Sequence, residues 1–164
     1  ATGIVQFVKK GIHYLPILIR IQVNLFEINP VEVIIQDIRK VLRHELHHYR
    51  FFESGQRTDR LLDQLIYEGL AVAYEVKLDP ENVPAYADAV NRNELIELWQ
   101  LALPKLHHSG LYDEWFHGRG DLPRWAGYTL GYEIVKFFLD HNPGYKVSDL
   151  LHIPSDDYVA YVKF

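Results

Sequence analysis

A chain of 164 residues, 48% hydrophobic and 24% charged, is sized for one domain that buries about two-thirds of its unfolded surface. A net charge of −5, with acids and bases interspersed, argues against a nucleic-acid phosphate binder, which needs a basic face. The absence of cysteine removes disulfides, thiolate metal ligands and cysteine nucleophiles together, and no apolar run reaches the roughly 18 residues of a membrane span.

Residues 4–8 are short and β-prone. In residues 17–28, Ile19, Ile21, Val23 and Leu25 alternate with Arg20, Gln22 and Asn24, the pattern of a strand with one buried face. Asn29 then caps a helix that has Pro30 at its first position. That helix is expected over 30–53. At 100° per residue, Ile34, Ile38, Val41, Leu42, Tyr49 and Phe52 share an arc of roughly 100°. Residues 54–58 connect it to a second helix over 59–77, capped by Thr58 and striped by Leu61, Leu65, Val72 and Val76. A turn region follows, then a third helix over 93–103 that Pro104 stops. Residues 107–123 read as a long irregular segment rich in glycine and aromatics, before a fourth helix over 125–141 and a tail that ends in a short helix or strand. The expected class is one α+β domain over 1–164, mainly helical, with a small N-terminal sheet.

The chemistry concentrates at "HELHHYR", residues 44–50, within the first helix. On its wheel Glu45 falls inside the apolar arc, His44 and His48 lie on the shoulder, and His47 points away. Burying a carboxylate without a partner costs several kcal/mol or forces it to neutralise, so something must compensate. His44 and His48 are four residues apart, a little over one turn, so both imidazoles project from one face and can share an ion. Glu45 lies beside that ion rather than on it. This is H-E-x-x-H: two zinc ligands and a general base. A solvated, histidine-rich helix end is the bland alternative, and it fits poorly with a motif that faces inward.

A catalytic zinc usually takes a third protein ligand and keeps one position open. Glu68, twenty residues after His48 at the edge of the second helix's stripe, is the candidate. Gly69 follows it. A mid-helix glycine costs up to about 1 kcal/mol against alanine, and here it is expected to let the second helix pack closely on the first.

H-E-x-x-H followed by a glutamate in "EGLA" resembles the gluzincin branch of zinc metallopeptidases. More narrowly, "HELHHYR", "LIYEGLA" and "LPRWAGYTLGYEIV", in that order over residues 40–140, resemble a bacterial family known as predicted zinc-dependent proteases. The resemblance implies a zincin-like fold, Zn2+ as cofactor and hydrolysis of a peptide or protein substrate. It carries over to His44, His48 and Glu68 as metal ligands and to Glu45 as base. One position departs from the pattern. Many gluzincins place an aspartate four residues after the ligand glutamate, to orient a metal histidine, and here that position is Val72. Glu75 is the better substitute, being charged; Gln64 offers only a neutral amide, and Asp63 points away from Glu68.

The segment from Tyr128 to Gly131 resembles the one that carries the catalytic tyrosine of gluzincin aminopeptidases. Attack on a peptide carbonyl creates an oxyanion, and a phenol or imidazolium opposite the metal stabilises it. Tyr128 is assigned that part, with His107, His108 and His117 as rivals, whereas Tyr132 reads as packing. Arg124 reads as a structural ion pair, with a substrate carboxylate as its other possible partner. The enzyme expected is a zinc peptidase, cytoplasmic and of unspecified oligomeric state, whose strand at 17–28 offers an edge for an extended peptide. The rival is a zincin-like module that binds zinc and a protein partner without turnover; an intact Glu45 argues against it.

Overall fold

The computed structural model describes residues 31–164, apart from the side chain of Tyr161, and the backbone of two strands, β1 (Thr2–Lys10) and β2 (His13–Gln22). The strands pair antiparallel, with an irregularity in register between Gln6 and Phe7. The expected cap Asn29, Pro30 and the end of the 17–28 strand lie outside the described residues.

The rest of the described chain is mainly helical. The long helices are α1 (Val31–Glu53), α2 (Leu61–Leu78), α3 (Arg92–Ala102) and α5 (Ala126–His141); α4 (Tyr112–His117) and α6 (Ser155–Tyr158) are short. Each long helix falls within a few residues of its expected range. The second starts at Leu61, so neither Asp59 nor Thr58 belongs to its first turn. The start of α3 is a capping box: Asn91 Oδ1 accepts from Asn93 N and Glu94 N at 2.9 and 3.1 Å, and Glu94 Oε2 accepts from Asn91 N at 2.7 Å. Residues 107–123, expected to be irregular, contain α4. Gly118 ends that helix in the left-handed region at φ 67°, where an added Cβ would press on the Arg124 backbone.

The core is organised around α2, which is buried over most of its length. Its first N–H groups have no partner within the helix. Leu61 N donates instead to His108 O at 2.8 Å and Leu62 N to Leu106 O at 3.0 Å. Those bonds tie the segment leading into α4 to the head of α2. The opposite flank of α2 meets α5 at two glycines. A Cβ on Gly69 would collide with the Gly131 carbonyl, and one on Gly131 with the Leu65 carbonyl. Gly69 therefore serves the approach of α5 and not, as its position suggested, that of α1. Thr129 of α5 accepts from Ala89 N and donates to Tyr86 O, both at 3.0 Å, which pins the 85–91 loop over the same end of the bundle.

The face that α1 buries is turned from the one its apolar residues mark. Glu45, His47, His48 and Phe51 are buried, whereas Leu42 and Leu46 are exposed. At 100° per residue the two faces differ by roughly a quarter turn. Two kinds of contact turn this face toward α2: His44 and His48 meet the carboxylates of Glu75 and Glu68, and the rings of His47 and Phe51 pack on Tyr74 and Tyr67.

Candidate metal centre

α1 and α2 run side by side, and His44 and His48 on one face Glu68 on the other. His44 Nε2 lies 3.1 Å and His48 Nε2 3.3 Å from the same atom, Glu68 Oε2. One donor atom from each of the three residues falls within 4.8 Å of the others. Bonds of about 2.0–2.2 Å to a tetrahedral zinc separate neighbouring ligand atoms by about 3.3–3.5 Å. Both separations sit beside that value, and two nitrogens with one carboxylate oxygen suit zinc's preferences. The residues therefore fit the ion.

The surroundings orient these side chains. His44 Nδ1 meets Glu75 Oε1 at 2.6 Å, which selects the tautomer with the proton on Nδ1 and the lone pair on Nε2. Glu75 supplies the carboxylate that Val72 cannot; Val72 is fully buried among the packed side chains of α2. Gln64 is turned elsewhere, its amide donating to Thr58 O at 3.2 Å. Asp63 faces away as expected, joined to Arg60 by bonds of 2.8 and 3.0 Å. Tyr86 donates to both oxygens of Glu75 at 2.8 Å. His48 is held differently. Its ring stacks on Tyr67 at 3.8 Å and 14°, and its Nδ1 is buried with no hydrogen-bond partner.

Electrostatics follow from this packing. Burial disfavours a charge on His44, but the hydrogen bonds to Glu68 and Glu75 outweigh it and lift its pKa to about 10. Burial works against the Glu68 carboxylate too, and is overcome by the His48 and His44 rings, which hold it well below the usual carboxylate range. Burial lowers the pKa of His48. Without metal, the site is thus an ionised glutamate, one charged imidazole and one neutral imidazole.

Glu45 is buried at 7% exposure on the same turn of α1. Tyr128, from the first turn of α5, places its ring 6.4 Å from that of His44 and 5.3 Å from Tyr86. Burial first, then the charges of Glu68 and Glu45, push the Tyr128 phenol well above its ordinary pKa, so it stays protonated. The rival donors lie elsewhere. His107 is exposed and 3.0 Å from Arg60, His117 is exposed and paired with Asp113 at 2.8 Å, and His108 is exposed. Tyr132 is half-buried against the core, with Lys136 Nζ 5.3 Å from its ring. Arg124 stacks on Trp125 at 4.4 Å.

Two residues of the site carry no sign in the sequence, and a third, His47, lies elsewhere than its wheel position suggests. Tyr112 donates to Glu68 Oε1 at 2.6 Å, and Tyr86 holds Glu75. Neither carries a local signal in a chain with 11 tyrosines. His47 was expected to point away, but is 4% exposed against Tyr74, with neither ring nitrogen bonded. Burial pushes its pKa down to about 3, so it packs as a neutral ring.

No curated protein and no solved structure matches the chain. A family described as predicted Zn-dependent protease (DUF2268) matches residues 18–160, a span that includes every residue of this centre. The same chain carries a cluster of two histidines and a glutamate that could hold a metal ion, and by the family match it belongs to the predicted zinc-dependent proteases.

Proposed function

We propose that this chain is a zinc-dependent peptidase of one zincin-like domain, with His44, His48 and Glu68 as metal ligands, Glu45 as general base and Tyr128 as oxyanion donor. The observation that carries the reading is the approach of two Nε2 atoms to one buried carboxylate oxygen, with a second glutamate, Glu45, buried one residue from the first histidine. A bound zinc ion supplies a Lewis acid that acidifies water and polarises a scissile carbonyl. Glu45 accepts the proton of the attacking water and delivers it to the leaving amine. The protonated Tyr128 phenol donates to the oxyanion as charge develops. Glu75 keeps His44 in the tautomer that presents Nε2. The reading gives Glu45 a task that a pure zinc scaffold would not need.

The test is metal content followed by hydrolysis of a mixed peptide library, with and without chelator. One zinc per chain and chelator-sensitive cleavage are expected. Glu45→Gln keeps the shape but has no carboxylate to take the proton, so it should retain zinc and lose nearly all cleavage. Zinc binding with no cleavage of any peptide would instead establish a binding module, and full activity in zinc-loaded Glu45→Gln would require another base.

A further inference from the structure

Glu68 presents its two oxygens to different partners. Oε2 faces both Nε2 atoms, while Oε1 accepts the Tyr112 hydroxyl at 2.6 Å. We propose that Tyr112 is a positioning residue that restricts Glu68 to one-oxygen coordination and so keeps a metal position open for substrate; the inference rests on the metal reading above. A carboxylate can bind a divalent ion through one oxygen or two. With two imidazoles already present, a second carboxylate oxygen would occupy the position a catalytic site leaves vacant. A hydrogen bond to Oε1 competes with that second contact.

The phenol is built to stay where it is. Its ring stacks on Phe116 at 4.5 Å and 19°, and His117 meets it edge-on at 5.3 Å. The carbonyl anchors of Leu106 and His108 on the head of α2 hold the segment that leads into α4. A phenol hydroxyl carries one proton at neutral pH. That single proton goes to Glu68. Toward Tyr128, whose hydroxyl is 3.5 Å away, the Tyr112 oxygen is then left as an acceptor. Tyr112 thus holds Glu68 on one side and the proposed oxyanion donor on the other.

The experiment uses the whole chain loaded with cobalt(II), whose visible absorption weakens as coordination number rises, and with zinc in competition with a chromophoric chelator. Tyr112→Phe removes only the hydroxyl. The expected result is weaker cobalt absorption than wild type and a zinc dissociation constant raised about 10–100-fold. A merely structural role would leave the cobalt spectrum unchanged. A folded Tyr112→Phe with the wild-type spectrum and zinc affinity within about twofold overturns the proposal. Should that variant fail to fold by circular dichroism, 3-fluorotyrosine at position 112 keeps the ring and acidifies the phenol. A shifted cobalt band then supports the proposal, and an unshifted band with unchanged affinity overturns it. If wild type binds neither metal, the metal reading itself fails and takes this inference with it, a result distinct from loss in the variant alone.

Discussion

His44 and Glu75 meet at 2.6 Å, Nδ1 to Oε1, across the contact between α1 and α2. This bond fixes the orientation of a rotatable imidazole, through a carboxylate that Val72, four residues after Glu68, cannot supply. Removing it should therefore weaken the metal more than the fold. Glu75→Ala is expected to lower zinc affinity about 10–100-fold. Glu75→Gln, which keeps an oxygen acceptor but not the charge, should fall between that variant and wild type. Equilibrium zinc competition checks the order.

Zinc binding should be coupled to one proton. In the metal-free protein His44 is protonated at neutral pH, with a pKa of about 10, whereas His48 is shifted down and Glu68 is ionised. Only His44 must lose a proton to become a ligand. Affinity is expected to rise about tenfold per pH unit from pH 7 toward 10, then level off. Calorimetry in buffers of different ionisation enthalpy should report about one proton released near pH 7.5. The stability of the metal-free protein carries the opposite sign. A raised histidine pKa contributes stability that is fully present below about pH 6.5 and lost as pH rises through about 10. Chelated protein should therefore lose the His44 contribution over the same range in which the zinc-loaded form gains affinity, a contrast that thermal melts can follow.

Gly131→Ala tests the backbone contact beneath the site. The new methyl would strike the Leu65 carbonyl, a rigid neighbour inside α2. Overpacking of this kind costs about 1–3 kcal/mol or more, which in a chain of this size lowers the melting temperature by several degrees. Because α5 also carries Tyr128, activity should fall further than the loss of folded protein explains. Thermal denaturation alongside zinc-normalised peptide cleavage separates the two effects.

Tyr128→Phe addresses the proposed oxyanion donor. If the phenol strengthens its bond only in the transition state, kcat should drop by roughly 10²–10³ with KM little changed. A packing role would leave kcat near wild type. Steady-state kinetics on a peptide cleaved by the wild type distinguish the two, with circular dichroism to confirm the fold.

Where the geometry is local to one helix, residue order was sufficient. Four residues between His44 and His48 place two imidazoles on one face through helix periodicity alone, whatever α1 packs against. The boundaries of the long helices followed from the same periodicity, and Glu68 was legible as a carboxylate that its own stripe turns inward. The same H-E-x-x-H spacing gave the expectation of zinc, to which the family resemblance added peptide hydrolysis.

Everything that depends on one element meeting another needed the folded chain. Glu75 and Gln64 were both polar candidates near Glu68, and only the placement of α1 against α2 gave His44 to Glu75 and Gln64 to the Thr58 carbonyl. Gly69 announced a close helix contact without saying with which helix; its partner is Gly131, sixty-two positions away. Tyr112 reaches Glu68 from 44 residues downstream, on a short helix with no N-terminal side-chain cap. His47 was misplaced for a related reason. Hydrophobic periodicity assigns polar side chains to water, yet this face of α1 is buried by charge pairing and ring packing, so its apolar residues were the wrong guide. Spacing along a helix is intrinsic to the sequence, whereas the partner of a buried polar group is decided by which elements pack together.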